Sequence, residues 1–258
     1  MKTLKEYINE SLLDDFDTMS ASSTTDIKNE IKQFLKDNYK KNTYFKISKK
    51  PNNDGYYEVS CSKTVKVTNT NITSLTNNLF IFVNVNEDFI CFNCAKLTSL
   101  EGAPQKVGGD FNCSNCANLT SLKGAPKEVG RYFDCHNCKN LTSLKGAPEK
   151  VGSYGFNGGF NCADCENLTS LKGAPEKVEG FFDCRYCDNL TSLEGAPKEV
   201  GAFFDCAECI KLTSLKGAPE KVDGYFGCNR CNNLTSLEGA PEKIGGSFSY
   251  SNCPKLKL

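Results

Sequence analysis

The sequence predicts a β-rich solenoid, a stack of parallel strands with an N-terminal helix and a β-hairpin cap. Two observations carry this prediction: a unit of 22 residues that recurs along most of the chain, and a different, helix- and hairpin-like segment in front of it. One repeat cannot bury its own apolar edge, so neighbouring repeats must stack into a continuous core. The repeat is marked by seven Cys-x-x-Cys pairs, whose first cysteines lie 22 residues apart with one interval of 27, at Cys91, Cys113, Cys135, Cys162, Cys184, Cys206 and Cys228.

Each repeat predicts a strand, a turn and a chain reversal. The aligned units read V-G-G-x-F-x-C-x-x-C-x-N-L-T-S-L-x-G-A-P. Alternate residues of F-x-C point the same way in a strand, Leu-x-x-Leu follows the turn, and Gly-Ala-Pro reverses the chain. Looser copies near Val65 and after Ile244 bring the total to about nine repeats, so the solenoid is expected over residues 65–258. At a strand spacing of roughly 4.8 Å, nine turns would make a rod about 43 Å long.

The front of the chain predicts a cap for the open end of the stack. Residues 24–64 begin with a helical segment, and residues 43–61 follow as two strands around the turn Pro-Asn-Asn-Asp-Gly. Such a cap would cover exposed core and strand edges. Residues 1–23 are expected to form a further N-terminal helix and a linker. The apolar face of the capping helix is predicted to consist of Ile27, Ile31, Phe34 and Leu35.

The repeat resembles the leucine-rich-repeat superfamily, whose pattern is L-x-x-L-x-L-x-x-N/C-x-x-L. In the stretch FDCHNCKNLTSL, Phe133 and Cys135 match the L-x-L positions, Cys138 the Asn/Cys position and Leu141 the next leucine. The chain departs from the common pattern in using phenylalanine and cysteine where leucine is usual. The resemblance covers residues 65–258 and implies a parallel strand stack with a variable binding face.

Composition excludes several classes of protein. Lys plus Arg and Asp plus Glu both number 31, so nothing indicates binding to nucleic acid or to a membrane surface. No apolar run is long enough to span a bilayer, and the first residues lack the apolar core of a secretory signal. We therefore expect a cytoplasmic protein, in which 16 cysteines stay reduced rather than forming a disulfide framework.

The cysteine spacing is also compatible with zinc. The arrangement C-x2-C-x18-C-x2-C is typical of four-cysteine zinc sites, and it occurs at Cys91, Cys94, Cys113 and Cys116. Against zinc, the seven pairs cannot all be matched two by two, and Val67 and Tyr250 replace cysteines in the outermost repeats. Free cysteine also packs as a small buried hydrophobe. The interpretation adopted is therefore a cysteine-rich core without a cofactor, with structural zinc and disulfides as alternatives.

No constellation of residues indicates an enzyme. A nucleophile–base pair would need a histidine or a carboxylate set apart from the repeat, and the only histidine, His136, lies within it and is expected at the surface. The glycines fall in the recurring turns, and no phosphate-binding loop is present. The chain is thus predicted to be non-catalytic.

A partner-binding face is predicted between the inward positions of the strands. The residues there vary from repeat to repeat while the core positions do not, which is typical of a scaffold with an adjustable surface. Arg185 and Tyr186 are the expected anchors; the alternative is that the face merely solvates the sheet. The predicted face comprises Asp134, His136, Asp164, Asp183, Arg185, Tyr186, Asp205, Glu208 and Arg230.

The 27-residue interval holds an insertion immediately before a strand. It is expected to bulge from the edge of the rod and to expose Tyr154 and Phe156 as a second contact point. The alternative is a tolerated loop insertion with no contact role.

The first ten residues, MKTLKEYINE, resemble the capsid-targeting peptides of internal proteins in tailed bacteriophages. Ile8-Asn9-Glu10 followed by Ser11 matches the site at which the prohead protease cuts such peptides. The resemblance implies a protein-binding scaffold packaged in the virion interior and acting on a host protein in the host cytoplasm, with the prohead protease and capsid scaffold as partners. The alternatives are an amphipathic docking helix at this end and a bacterial intracellular adaptor.

Overall fold

The computed structural model describes residues 21–41, 43–152 and 158–257, and it is a parallel-strand β-solenoid of about nine turns with one N-terminal helix. The predicted fold class is thereby confirmed. The described part of the chain contains no helix with the length and hydropathy of a membrane span.

The elements are short and evenly spaced. Helix α1 spans Ala21–Asn38. The strands are β1 (Phe45–Ile47), β2 (Tyr57–Cys61), β3 (Val65–Lys66), β4 (Phe80–Val85), β5 (Phe89–Ile90), β6 (Lys106–Val107), β7 (Phe111–Asn112), β8 (Glu128–Val129), β9 (Tyr132–Asp134), β10 (Lys150–Val151), β11 (Gly159–Asn161), β12 (Lys177–Val178), β13 (Phe181–Asp183), β14 (Glu199–Val200), β15 (Phe204–Asp205), β16 (Lys221–Val222), β17 (Phe226–Gly227), β18 (Lys243–Ile244) and β19 (Phe248–Ser249).

Two parallel sheets run the length of the stack. One has ten strands in the order β1-β2-β4-β6-β8-β10-β12-β14-β16-β18, and the other has nine in the order β3-β5-β7-β9-β11-β13-β15-β17-β19. Among the strand pairs of the described residues, only β1–β2 is antiparallel, and Tyr39 and Val67 form an isolated antiparallel bridge. Each full turn therefore contributes two strands, one ending in an inward valine and one carrying the inward phenylalanine. Sequence patterning had predicted the second of these strands and not the first.

The core is built from identical columns. The rings of Phe89, Phe111, Phe133, Phe160, Phe182, Phe204 and Phe226 form one stack, with centroids of neighbouring rings 5.0–5.5 Å apart. Each ring is fully buried, as are the Leu-x-x-Leu side chains from Leu97 to Leu234 and the cysteines of all seven pairs. Burial of this apolar surface is the main favourable term for folding, and it continues unbroken from turn to turn.

The N-terminal cap has the predicted parts. Ile31 and Leu35 of α1 are buried, and the ring of Phe34 meets Phe80 edge-on with centroids 5.8 Å apart. The β1–β2 hairpin joins the solenoid directly, because β2 pairs with β4 in the ten-stranded sheet. The helix begins at Ala21, within the segment expected to be a linker before residue 24.

Candidate interaction face

The turns that follow β7, β9, β11, β13 and β15 are each held by a side chain from the strand itself. The Oδ1 atom of an Asn or Asp accepts the backbone N–H two residues later, as in Asp134 with His136 (3.1 Å), Asp183 with Arg185 (3.0 Å) and Asp205 with Ala207 (2.9 Å). Asn and Asp are favoured in such turns because their short side chains reach this N–H. This column of side chains therefore has a structural role in shaping the face.

The three predicted aspartates of the face are consequently covered and paired. Asp134, Asp183 and Asp205 are only 4–5% exposed. Asp134 accepts a hydrogen bond from the His136 ring at 2.9 Å, and the guanidinium of Arg185 binds Asp183 at 2.7 Å. Burial raises the pKa of the Asp205 carboxyl, which also accepts the hydroxyl of Tyr225. These carboxylates organise the surface rather than presenting free charge.

The residue immediately before the second cysteine of each turn adopts a left-handed backbone conformation. In eight successive turns the residue before the second cysteine has φ between 54° and 61°. Five of these are Asn or Asp, which tolerate this conformation. The other three are consecutive: Tyr186 (φ 58°), Glu208 (φ 61°) and Arg230 (φ 55°). For such residues a left-handed backbone costs roughly 1–2 kcal/mol each.

An aromatic column that the sequence analysis missed lies beside this position. The outward rings of Phe181, Phe203 and Tyr225 stack along the sheet with successive centroids 4.8 and 5.3 Å apart, and the tilted ring of Tyr132 meets Phe181 at 5.6 Å. Tyr132 and Phe181 meet across Gly159, which has no side chain to separate them. The available signal was the second aromatic residue directly before the core phenylalanine in the repeats YFD, FFD, FFD and YFG.

Together these residues define one surface, the aromatic–ionic patch, on three consecutive turns. Tyr186 is 43% exposed, and Arg230 binds Glu208 at 2.8 Å. Arg185 approaches Asp205 of the next turn at 3.8 Å as well as binding Asp183. The patch comprises Phe181, Arg185, Tyr186, Phe203, Glu208, Tyr225 and Arg230.

The remaining predicted face residues are adjacent to the patch. His136 and Asp164 lie on the two preceding turns, and His136 Nε2 is 3.5 Å from Nδ2 of Asn115. Burial raises the pKa of Asp164. The structure thus brings all nine predicted face residues onto one side of the solenoid. Tyr154 and Phe156 of the insertion, and Glu10 and Ser11 of the cleavage pattern, lie outside the described residues.

The opposite sheet carries a second charged surface, which is internally paired. Glu128 lies between Lys106 and Lys150 and binds both, with N–O distances of 2.9 and 3.4 Å. Lys177 likewise binds Glu199 of the next turn at 3.3 Å. Lysines outnumber glutamates along this ladder, and Lys221 lies opposite Lys243, so the ion pairs of Glu128 and Glu199 neutralise only part of its charge.

The cysteines form a hydrogen-bonded column inside the core. The second thiol of a pair donates to the backbone carbonyl of the first cysteine in the preceding pair, as in Cys116 to Cys91 (3.3 Å) and Cys138 to Cys113 (3.4 Å). Burial raises the pKa of the first thiol in every pair. Within the described ranges, no group of three or more His, Cys, Asp or Glu side chains is arranged to hold a metal ion. The Cys-x-x-Cys spacing is thus accounted for by packing and hydrogen bonding.

Comparison of the chain with protein-family models, with curated proteins and with solved structures finds no match.

Proposed function

We propose that the protein is a non-catalytic, protein-binding repeat scaffold and that the aromatic–ionic patch is its binding surface. The observation that carries the proposal is the run of Tyr186, Glu208 and Arg230 in left-handed backbone positions that asparagine or aspartate fills in the other five turns. Residues held in unfavourable backbone conformations cluster at functional sites. Stability alone would favour asparagine at all three turns, so binding is the reason we assign to the larger side chains.

The chemistry of the patch suits a protein surface. Tyr and Arg dominate the binding energy of protein interfaces, because each combines a large contact area with directional polar groups. The outward rings of Phe181, Phe203 and Tyr225 stack on one another within 3–19° of parallel. Both faces of Phe203 and one face each of Phe181 and Tyr225 are therefore occupied, which disfavours stacking of nucleobases and leaves ring edges for packing against side chains.

The proposal is tested by affinity capture with matched variants. Four proteins are immobilised: the wild type, the patch variants Tyr186→Asn and Arg230→Asn, and the control variant Lys145→Asn. Each is exposed to an extract of the cells in which the protein naturally occurs. Lys145 is exposed and lies outside the patch. We expect one set of proteins to be retained by wild type and control and lost with both patch variants. Binding of each captured protein is then measured by calorimetry with the purified pair.

The design separates lost binding from lost folding. The substitutions by asparagine restore the residue type that the other turns use, so both patch variants should be at least as stable as wild type. Retention of the same proteins by wild type and by both patch variants would refute the patch as the binding surface.

Packaging in a phage capsid is a second proposal, and it rests on the resemblance of residues 1–11 to capsid-targeting peptides. It is tested by mass spectrometry of the N-terminal peptide in purified particles. A chain that starts at Ser11 supports packaging and cleavage after Glu10. Absence of the protein from particles contradicts it and favours an intracellular adaptor.

A further inference from the structure

A groove runs between helix α1 and the first strand, at the end of the molecule opposite the last repeat. It has a volume of about 550 Å³. Its apolar lining comes from Leu35 on the helix and from Phe45 and Ile47 on β1. Tyr44 stands at the groove with 83% of its surface exposed, the largest exposure of any bulky apolar residue described. An apolar lining with an exposed aromatic indicates a surface that something covers.

The rim of this groove is basic and lacks counterions. Lys32, Lys36, Lys40 and Lys41 all contribute to the lining, and no acidic side chain does. All four are exposed, and none forms an ion pair with another described residue. In the ten-stranded sheet, by contrast, Lys106, Lys150 and Lys177 each bind a glutamate of a neighbouring turn. The basic rim and apolar lining of the groove are therefore complementary to a segment that carries both acidic and apolar side chains.

The groove also contains a free sheet edge. Strand β1 is the terminal strand of the ten-stranded sheet and pairs only with β2 among the described residues. An edge strand presents unpaired backbone N–H and C=O groups, which proteins usually cover with another segment. An occupant in extended conformation could hydrogen-bond to this edge while its side chains meet the lysines and the apolar lining.

The chain itself contains a segment of the required chemistry next to the helix. Residues 12–17 read Leu-Leu-Asp-Asp-Phe-Asp, so three carboxylates and three large apolar side chains occur within six residues. They precede Ala21, where α1 begins. Because α1 rises about 1.5 Å per residue, Lys32 and Lys36 lie about 17 and 23 Å along the axis from Ala21. Extended chain covers about 3.3 Å per residue, so a segment running back beside the helix would carry Asp15 and Asp14 about 20 and 23 Å from Ala21, within reach of the two lysines.

We propose that residues 12–17 of this chain occupy the groove between α1 and β1, with Asp14, Asp15 and Asp17 paired to the lysine rim. Tethering favours this occupant over a separate acidic peptide, because a short linker gives a local concentration in the millimolar range. The proposal is independent of the aromatic–ionic patch. It also holds whether or not the chain is cut after Glu10, because the segment follows that position.

The test is zero-length carbodiimide cross-linking of the full chain, using an equal mixture of ¹⁴N- and ¹⁵N-labelled protein. The reagent joins a carboxylate to an amine only where the two are in contact. We expect peptides that link Asp14, Asp15 or Asp17 to the rim lysines, and we expect both halves of each link to carry the same isotope. Lys145 and Lys172 are exposed lysines of the solenoid and serve as internal controls.

Two variants separate docking in the groove from charge attraction alone. The double substitution Leu12→Ser with Phe16→Ser keeps every carboxylate and should lower the yield of these links by about tenfold, since it removes the apolar contacts. Leu4→Ser with Ile8→Ser is the matched control and should leave the yield unchanged.

Three results would overturn the proposal. Links of mixed isotope would assign the groove to a second copy of the chain. Links to Lys145 and Lys172 as frequent as those to the rim would show that the segment has no preferred site. The absence of any link from residues 12–17 to the rim would leave the groove to a separate partner.

Discussion

Replacing Tyr186 by asparagine should stabilise the protein, although it removes a large side chain. The backbone of Tyr186 has φ 58°, a conformation that costs roughly 1–2 kcal/mol for an ordinary L-residue and less for asparagine. Tyr186 is 43% exposed, and no side-chain hydrogen bond or ring contact joins it to another described residue, so little is lost on truncation. We expect the free energy of unfolding to rise by about 1 kcal/mol. For a chain of this size, that corresponds to an increase in Tm of about 2–4 °C.

The measurement is urea unfolding followed by circular dichroism, with fluorescence as a second probe, because repeat proteins can depart from two-state behaviour. The reciprocal variant Asn137→Tyr should be destabilised, and by more than 1 kcal/mol in magnitude. It both introduces the backbone cost and loses the 2.7 Å hydrogen bond from Asn137 to Asn115. A Tyr186→Asn variant that is less stable than wild type would refute the reasoning, since packing of the tyrosine would then outweigh backbone strain.

Three further outcomes follow from the core, the cysteines and the acidic column. Phe160→Ala should lower the free energy of unfolding by about 3–5 kcal/mol, because it opens a cavity in the middle of the ring stack; Phe248→Ala, in the half-buried last turn, should cost clearly less in the same urea titration. The thiols of the seven Cys-x-x-Cys pairs should resist alkylation by iodoacetamide until the protein unfolds, since all of them are fully buried and burial also raises the pKa of the first thiol in each pair. A chelator should leave Tm unchanged. Because burial raises the pKa of Asp205, wild type should gain stability relative to Asp205→Asn as the pH falls from 7 toward the ordinary aspartate pKa near 4.

Each of these outcomes has a clear contradiction. Equal losses at Phe160 and Phe248 would mean that the depth of burial in the ring stack does not set the cost of removing a ring. Rapid alkylation of the native protein would show that the core opens readily, and a fall in Tm with chelator would support the zinc alternative. A constant difference in stability between wild type and Asp205→Asn across the pH range would show that Asp205 has an ordinary pKa in the folded protein.

The core of the solenoid was accessible from sequence because each inward position repeats one residue type. Phe133, Cys135 and Leu141 recur in register, and all three are fully buried. The strand that ends in Val129 was missed because it is only two residues long and pairs a charged residue with one apolar residue. Such a stretch has too few residues to display a period of two.

The sequence placed the residues of the candidate face on the same strands and turns as the structure does, but it did not predict the burial of the aspartates or the aromatic column. Asp183 and Asp205 occupy the expected face, yet their burial depends on turns whose backbone bends back over them. The aromatic column at Phe181 and Phe203 was missed because a second phenylalanine beside a core phenylalanine suggests a second buried side chain. Only the alternation of side chains across the sheet sends it outward. The φ angles that single out Tyr186 are likewise set by the fold.

The charge ladder on the ten-stranded sheet has a consequence for how such a gene can change length. Deleting residues 113–134 removes one whole repeat without disturbing the core columns, but it would bring Lys106 opposite Lys150 in the absence of Glu128. Deleting residues 206–227 would instead bring Glu199 opposite Lys243. Like charges directly opposite one another destabilise a sheet and unlike charges stabilise it. Recombination between near-identical repeats should therefore yield viable shorter chains from the second junction more readily than from the first.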